Sequence, residues 1–263
     1  MSGRLDAELA ARGLARSRTH AAALITAGRV RLDGRVVTKP ATRVADGADL
    51  AVDADQYVSR GAHKLVAGLD GFGVDVAGRV ALDMGASTGG FTQVLRERGA
   101  APVIAVDVGH GQLASQLRDD PAVRAVEGFN VRHMTRENLA GASGVREAPG
   151  VITGDLSFIS LRHVLPAVAG VAAADADIVL LVKPQFEVGR TGIRDGIVVD
   201  RELRIRAIRD VLDDAFRLGL GTRGVLPSPI EGAHGNREAL VHLTPSGGCT
   251  ADAWAEAIAA AAG

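Results

Sequence analysis

Val80-Ala81-Leu82-Asp83-Met84-Gly85-Ala86-Ser87-Thr88-Gly89-Gly90-Phe91 decides how the larger part of this 263-residue chain folds. A short apolar run leads into a turn poor in side chains, and a helical stretch near 91 to 98 follows. Strand, glycine-bearing loop and helix in that order let backbone approach a ligand closely, which predicts a site for a nucleotide-like cofactor. The loop is not the dinucleotide fingerprint, because Ser87 stands where a second glycine belongs, and it lacks the lysine of a phosphate-binding P-loop.

Outward from this turn, four apolar runs each stop on an ionisable residue. Val80 to Leu82 stops on Asp83, Val103 to Val106 on Asp107, Val151 to Gly154 on Asp155, and Ile178 to Val182 on Lys183. Buried parallel strands read as such runs, and open α/β sheets bind ligands outside the strands' carboxyl ends. Three carboxylates and a lysine are therefore expected along one crevice. A further run near 123 and helical stretches near 111 to 118, 161 to 171 and 201 to 218 predict a doubly wound α/β domain, with helices on both faces of a mostly parallel sheet. Ala239 to Leu243 reads as strand and Ala251 to Ala261 as a closing helix. Asp107, with Val108 beside it, suits a ribose diol, since a carboxylate can accept both hydroxyls. Asn130 is read either as an adenine contact or as a turn residue.

The first 58 residues read differently. Leu5, Leu9 and Leu14 predict a helix stopped near Gly13, and Ser17 caps a second helix that ends at Gly28. Asp33-Gly34 then turns a hairpin, with Val30 and Leu32 on one face and Arg29 and Arg31 on the other. Between Arg12 and Arg43 six further basic residues, Arg16, Arg18, Arg29, Arg31, Arg35 and Lys39, face the single acid Asp33, in a chain whose net charge is only −1. A polyanion partner therefore has to be held by this local patch. Aromatic residues are 3% of the chain, so shape and backbone recognition of folded RNA is expected in preference to base stacking.

Arg4-Leu5-Asp6, Gly13, Ser17-Arg18, Ala22, Ile25, Gly28-Arg29-Val30 and Gly34 resemble the S-four-type RNA-binding domain over residues 3 to 50. With that resemblance Arg4, Arg16, Arg18, Arg29 and Arg31 are expected to meet RNA phosphates. The segments Ser59 to Leu65, Gly85 to Phe91, Asp155 to Ser160, Lys183 to Glu187 and Gly235 to Glu238 resemble the TlyA family, over nearly the whole chain. This implies an RNA-binding domain, 1–58, joined to an FtsJ-like domain, 59–263, with a Rossmann-like fold that binds S-adenosylmethionine. It also implies 2'-O-methylation of cytidines in small- and large-subunit rRNA. The family's tetrad falls on Lys64, Asp155, Lys183 and Glu238. Its cofactor site falls on Asp83, Gly85, Ser87, Thr88, Gly89, Gly90, Phe91, Asp107, Val108, Asn130 and Asp155, and no metal is implied.

The chemistry asks for such groups in its own right. A ribose hydroxyl is a poor acid and must lose its proton to a positioned base as it attacks a sulfonium methyl group. Lys183 is the expected base, Lys64 the stabiliser of the developing oxyanion, and Glu238 with Asp155 the groups that orient both ammoniums. His63, His133, His163 and His234 show no ligand spacing and receive no role. The sole cysteine, Cys249, excludes an internal disulfide, and no apolar stretch approaches the ~20 residues of a membrane span. The start lacks a secretory core, so a cytoplasmic protein is expected. Rival readings are a non-catalytic RNA-binding factor of ribosome assembly, a membrane-active hemolysin, and a methyltransferase acting on protein.

Overall fold

A computed structural model describes residues 3–15, 17–26, 28–52, 56–189 and 192–263, with the side chain of Ala233 excepted. The chain divides into two compact units, Met1–Gln56 and Tyr57–Gly263.

In the first unit β1 (Gly3–Arg4) leads into α1 (Leu5–Ala11) and α2 (Arg18–Thr26), followed by β2 (Val30–Leu32), β3 (Arg35–Val36), β4 (Arg43–Val44) and β5 (Leu50–Val52). Ser17 caps α2 as its sequence position suggests, its Oγ accepting from His20 N at 3.1 Å. Asp33 and Gly34 both adopt positive φ, 49° and 77°, and so turn β2 onto β3. Leu5, Leu9, Ile25, Val30 and Val44 close a small core of their own. Three very short strands are not announced by the sequence. β5 lies within the acid-rich stretch 46 to 56, whose composition suggests a mere exit from the hairpin, yet it pairs antiparallel with β2 and buries Leu50. Strands of two or three residues hold too few side chains to display a period.

The second unit opens with α3 (Gly61–Phe72), then β6 (Ala81–Met84), α4 (Gly90–Glu97), β7 (Val103–Val106), α5 (Ser115–Arg118), β8 (Val123–Val126), α6 (Arg136–Ser143) and β9 (Val151–Gly154). It continues with α7 (Leu165–Val171), β10 (Asp177–Val182), α8 (Pro184–Glu187), α9 (Arg201–Arg217), β11 (Gly221–Pro227), β12 (Ala239–Thr244) and α10 (Ala255–Ala261). Seven strands form one sheet in the order β11-β12-β10-β9-β6-β7-β8, in which β12 alone runs antiparallel to its neighbours. Alternation along the strands sends Leu82, Met84, Ile178, Leu180 and Val182 to one face and Ala81, Val179 and Leu181 to the other. α7, α9 and α10 cover the first face with Leu165, Val168, Val211, Leu212 and Ile258, and α3 and α4 cover the second with Leu65, Leu69, Val94 and Leu95. Each such side chain, fully buried, is worth about 1.5–3 kcal/mol.

From β6 the chain winds outward through β7 and β8, then returns to β9 and winds the other way through β10. The order therefore reverses beside β6, and a crevice opens between the loops that leave β6 and β9.

Candidate active site

Met84 hands the chain to Gly85, whose φ of 78° and close approach exclude a side chain: a Cβ there lies 3.1 Å from Asp155 O and 3.0 Å from Leu156 Cδ2. The loop is pinned from β7, where Asp107 Oδ2 accepts from Ser87 N at 2.8 Å and Oδ1 from Gly109 N at 2.7 Å. Two cavities of similar size meet along this loop. One, of about 530 Å³, is walled by Phe129, Val131 and Ile159 and edged by Asp107, Val108 and Asn130. The other, of about 520 Å³, contains Thr88, Gly90 and Phe91 together with Lys64, Lys183 and Glu238. Gly85, Ser87, Asp155, Ser157 and Phe158 border both. Volumes of this order hold a small organic ligand.

The four ionisable side chains of the second cavity form one chain of contacts. Glu238 Oε2 lies 2.6 Å from Lys64 Nζ, which stands 4.0 Å from Asp155 Oδ2, and Asp155 Oδ1 lies 2.6 Å from Lys183 Nζ. They come from α3, the end of β9, the end of β10 and the start of β12, so the sheet order brings together residues up to 174 positions apart. Lys64, Lys183 and Glu238 are buried, and Asp155 is partly open toward the cavities. Lys183 meets Asp155 closely but obliquely. Its directed hydrogen bond goes to Ser157 Oγ at 2.8 Å. The loop bearing Asp155 and Ser157 is fastened a second time, since Glu187 of α8 accepts from Ser160 Oγ at 2.5 Å and from Leu161 N at 2.8 Å. Burial pushes the Glu187 carboxyl above its ordinary range, against those two hydrogen bonds.

Two expected cofactor residues stand elsewhere. Asp83 is not at the strand's end, because β6 continues through Met84; its side chain turns into the interior and is wholly buried. There its Oδ2 accepts from Thr92 Oγ1 at 2.6 Å and its Oδ1 from Thr153 Oγ1 at 3.3 Å, tying α4 to β9 behind the crevice. Gly89 faces backward, where a Cβ would run into Leu117 and Leu113. Asn130 takes the turn role, its Oδ1 accepting from Arg132 N at 3.0 Å, and it also edges the first cavity. Phe158, Gln185, Phe186 and Asn236, given no individual role from the sequence, also line the second cavity, together with His234. The only local sign of them is the motif segment that contains or adjoins each. His234, given no role from its spacing, is held at the cavity with φ of 60°.

Burial pushes the Asp83 carboxyl up to about 7; hydrogen bonds from Thr92 and Thr153 oppose the rise and the charge of Asp155 adds to it. An aspartate in an unfolded chain titrates near ~3.9. Between those values the folded protein keeps a proton that the unfolded chain has released, so stability falls as pH rises through the window and levels off above it. Asp83→Asn cannot ionise and is expected to remove the fall. In urea melts at about pH 5 and about pH 8 the wild type should lose about 3 kcal/mol relative to the variant. Parallel pH dependence in the two proteins would contradict a buried, proton-holding carboxyl.

In the first unit Asp6 is buried and gathers two arginines. Arg4 donates to Asp6 Oδ1 and Oδ2 at 3.1 and 2.9 Å, and Arg18 reaches Oδ2 at 3.4 Å. The Arg4 hydrogen bond, helped by Arg18 against the cost of burial, holds the Asp6 carboxyl down at about 2. Both guanidinium groups keep exposed faces, and Arg31 is exposed on β2 with Arg29 half-buried just before it. Arg16 lies outside the described residues.

The FtsJ-like methyltransferase family matches residues 57–244, and the S4 domain matches residues 3–50. A 16S/23S rRNA (cytidine-2'-O)-methyltransferase TlyA of Mycobacterium tuberculosis (strain CDC 1551 / Oshkosh) is 53% identical over 244 residues, 91% of this chain and 89% of that protein. This chain belongs to the TlyA family. A second relative, Hemolysin A of Brachyspira hyodysenteriae, is 37% identical over 242 residues, 91% of this chain and 99% of that one. A solved structure from Streptococcus thermophilus, whose name places it provisionally among hemolysins, superposes with a TM-score of 0.77 at 36% identity, over 99% of this chain and 95% of that chain. No helix among the described residues of this TlyA-family chain is long and apolar enough to cross a membrane.

Proposed function

We propose that this chain transfers a methyl group from S-adenosylmethionine to the 2'-hydroxyl of a cytidine in ribosomal RNA. The observation that carries the proposal is the linked row Glu238, Lys64, Asp155, Lys183 inside a cavity that shares a wall with a second one. The named activity of the Mycobacterium tuberculosis relative supports the same reading.

The residues present fit the cofactor. Asp107, at the carboxyl end of β7, has carboxylate lone pairs for a ribose diol, Val108 and Asn130 edge the space for a base, and Gly85, packed closely against Asp155 and Leu156, lines both cavities with bare backbone. Ser87, Thr88, Gly90 and Phe91 continue the cradle into the catalytic cavity. Such a sheet, with ligand at its switch point, is Rossmann-like. When bound, S-adenosylmethionine supplies a sulfonium methyl group, whose bond pair stays with sulfur as carbon joins the ribose oxygen. Lys183 Nζ takes the hydroxyl proton. Lys64 faces the charge that develops on oxygen, and Glu238 and Asp155 hold the two amino groups in place. Burial of three of the four groups strengthens these interactions, because little water screens them.

In this reading residues 1–58 bind rRNA in the cytoplasm and 59–263 carry out the transfer. Arg4, Arg16, Arg18, Arg29 and Arg31 neutralise phosphates. Arg18→Ala combined with Arg31→Ala is expected to weaken binding to ribosomal subunits and to lower the slope of log K against log salt by about 1 for each phosphate no longer neutralised. An unchanged slope removes the patch from the interface.

The direct test is transfer of labelled methyl to unmodified ribosomal subunits, followed by nuclease digestion and identification of the nucleoside. Label in 2'-O-methylcytidine is the expected result. Label in protein selects the rival acceptor, and failure to bind S-adenosylmethionine in calorimetry selects an RNA-binding assembly factor. Leakage of dye from lipid vesicles without any methyl transfer selects the hemolysin.

A further inference from the structure

We propose that Ser157 is a positioning residue that sets the direction of the Lys183 amine, an inference that rests on Lys183 being the base. A base needs more than proximity: its lone pair has to point at the proton it removes, and a neutral lysine amine carries two N–H bonds and one lone pair. Among the described residues Lys183 Nζ has two polar neighbours, Asp155 Oδ1 at 2.6 Å and Ser157 Oγ at 2.8 Å. The carboxylate contact lies outside hydrogen-bond geometry and supplies charge with little direction, whereas the serine contact at 2.8 Å meets hydrogen-bond geometry. With Ser157 accepting one N–H and Asp155 drawing the other, the lone pair is left for the cavity that all three residues line.

The loop around Ser157 is tied down by its backbone and by anchors further along rather than by packing of its own side chains. Phe158, next in the chain, sits at φ of 63°, a costly conformation for a bulky side chain, while its ring, 5.4 Å from that of Phe186, is almost wholly exposed. Glu187 anchors the loop from beyond, through Ser160 and Leu161. Lys183 precedes α8 and Glu187 ends it, so one short segment grips the Asp155 to Leu161 loop at two points, and Ser157 is the point that touches the amine.

The test compares Ser157→Ala, Ser157→Cys and Ser157→Thr in the full chain, on unmodified ribosomal subunits. Ser157→Ala is expected to lower kcat ~10- to 100-fold, the scale of a misaimed catalytic group. KM for the subunits should stay within about twofold of wild type, and the calorimetric Kd for S-adenosylmethionine, whose cavity Ser157 also borders, should shift far less than kcat, since direction more than binding is lost. Ser157→Thr keeps the hydroxyl and should restore most of kcat; Ser157→Cys keeps the size but offers a poor acceptor and should not. The cysteine variant therefore carries the test if alanine impairs folding. In the cofactor-free protein, the Nζ protons of Lys183 seen by ¹⁵N spectroscopy should exchange faster with water in Ser157→Ala. Wild-type kcat in the alanine and cysteine variants, or a change in KM or Kd alone, overturns the inference. Lys183→Ala separates the two levels: retained turnover there removes the base itself, while lost turnover there with a wild-type Ser157→Ala removes only the role of Ser157.

Discussion

Lys183→Ala should bind S-adenosylmethionine with near wild-type affinity and lose about 10²- to 10⁴-fold in kcat, the range that a positioned general base contributes. The affinity is spared because the cavity edged by Asp107, Val108 and Asn130 does not include Lys183. Truncation also leaves Asp155 without its 2.6 Å partner, but Asp155 is partly open to solvent and keeps Lys64 at 4.0 Å. The loss should therefore fall on turnover and not on folding. Single-turnover transfer of labelled methyl, with calorimetry on the same preparation, measures both. Turnover within about threefold of wild type would remove Lys183 as base and, with it, the role argued for Ser157.

Glu238→Ala is expected to damage stability as well as activity. Lys64 and Glu238 are both buried and 2.6 Å apart, so deleting the carboxylate strands an ammonium whose remaining counter-charge is Asp155 at 4.0 Å. Breaking a buried pair from one side costs about 3–5 kcal/mol, and the surviving interaction with Asp155 places the expectation near the lower figure. Lys64→Met with Glu238→Leu, which leaves no charge on either member of the pair, should recover most of that stability while remaining inactive. Urea denaturation of the two variants beside wild type checks this. If the double variant is no more stable than Glu238→Ala, the cost does not come from a stranded charge.

The parts of the molecule that can be read from the chain are those in which neighbours in sequence are neighbours in space. The β6 turn is one: an apolar run, glycines and a helix start within a dozen residues leave one local geometry, and Gly85 with its φ of 78° is its outcome. The Asp33-Gly34 hairpin is another, and so is the Ser17 cap. β11 is not legible in this way. Its Gly221-Thr222-Arg223-Gly224 start has neither an apolar run nor a clean alternation, and it becomes a strand by pairing with β12 across a register shift beside Arg223. α6 is short and polar, held by a reciprocal cap between Thr135 and Asn138, so a hydrophobic period has little to reveal.

Side-chain direction is the second thing that local pattern leaves open. Asp83 and Asp107 each close an apolar run, yet one more strand residue turns Asp83 inward to Thr92 and Thr153, while Asp107 clears its strand and reaches the loop amides. By itself the sequence determined the strand and helix alternation, the glycine loop and the basic N-terminal patch, because each is written in periods and turns spanning a few residues, while the tetrad was legible only through the resemblance to the TlyA family. Tertiary structure alone decided that Lys64, Asp155, Lys183 and Glu238 share a cavity, that Asp83 lies behind it, and that the directed hydrogen bond of Lys183 goes to Ser157 rather than Asp155. Those outcomes depend on strand order, burial and hydrogen-bond angle, which come into existence only when segments far apart in the chain pack against one another.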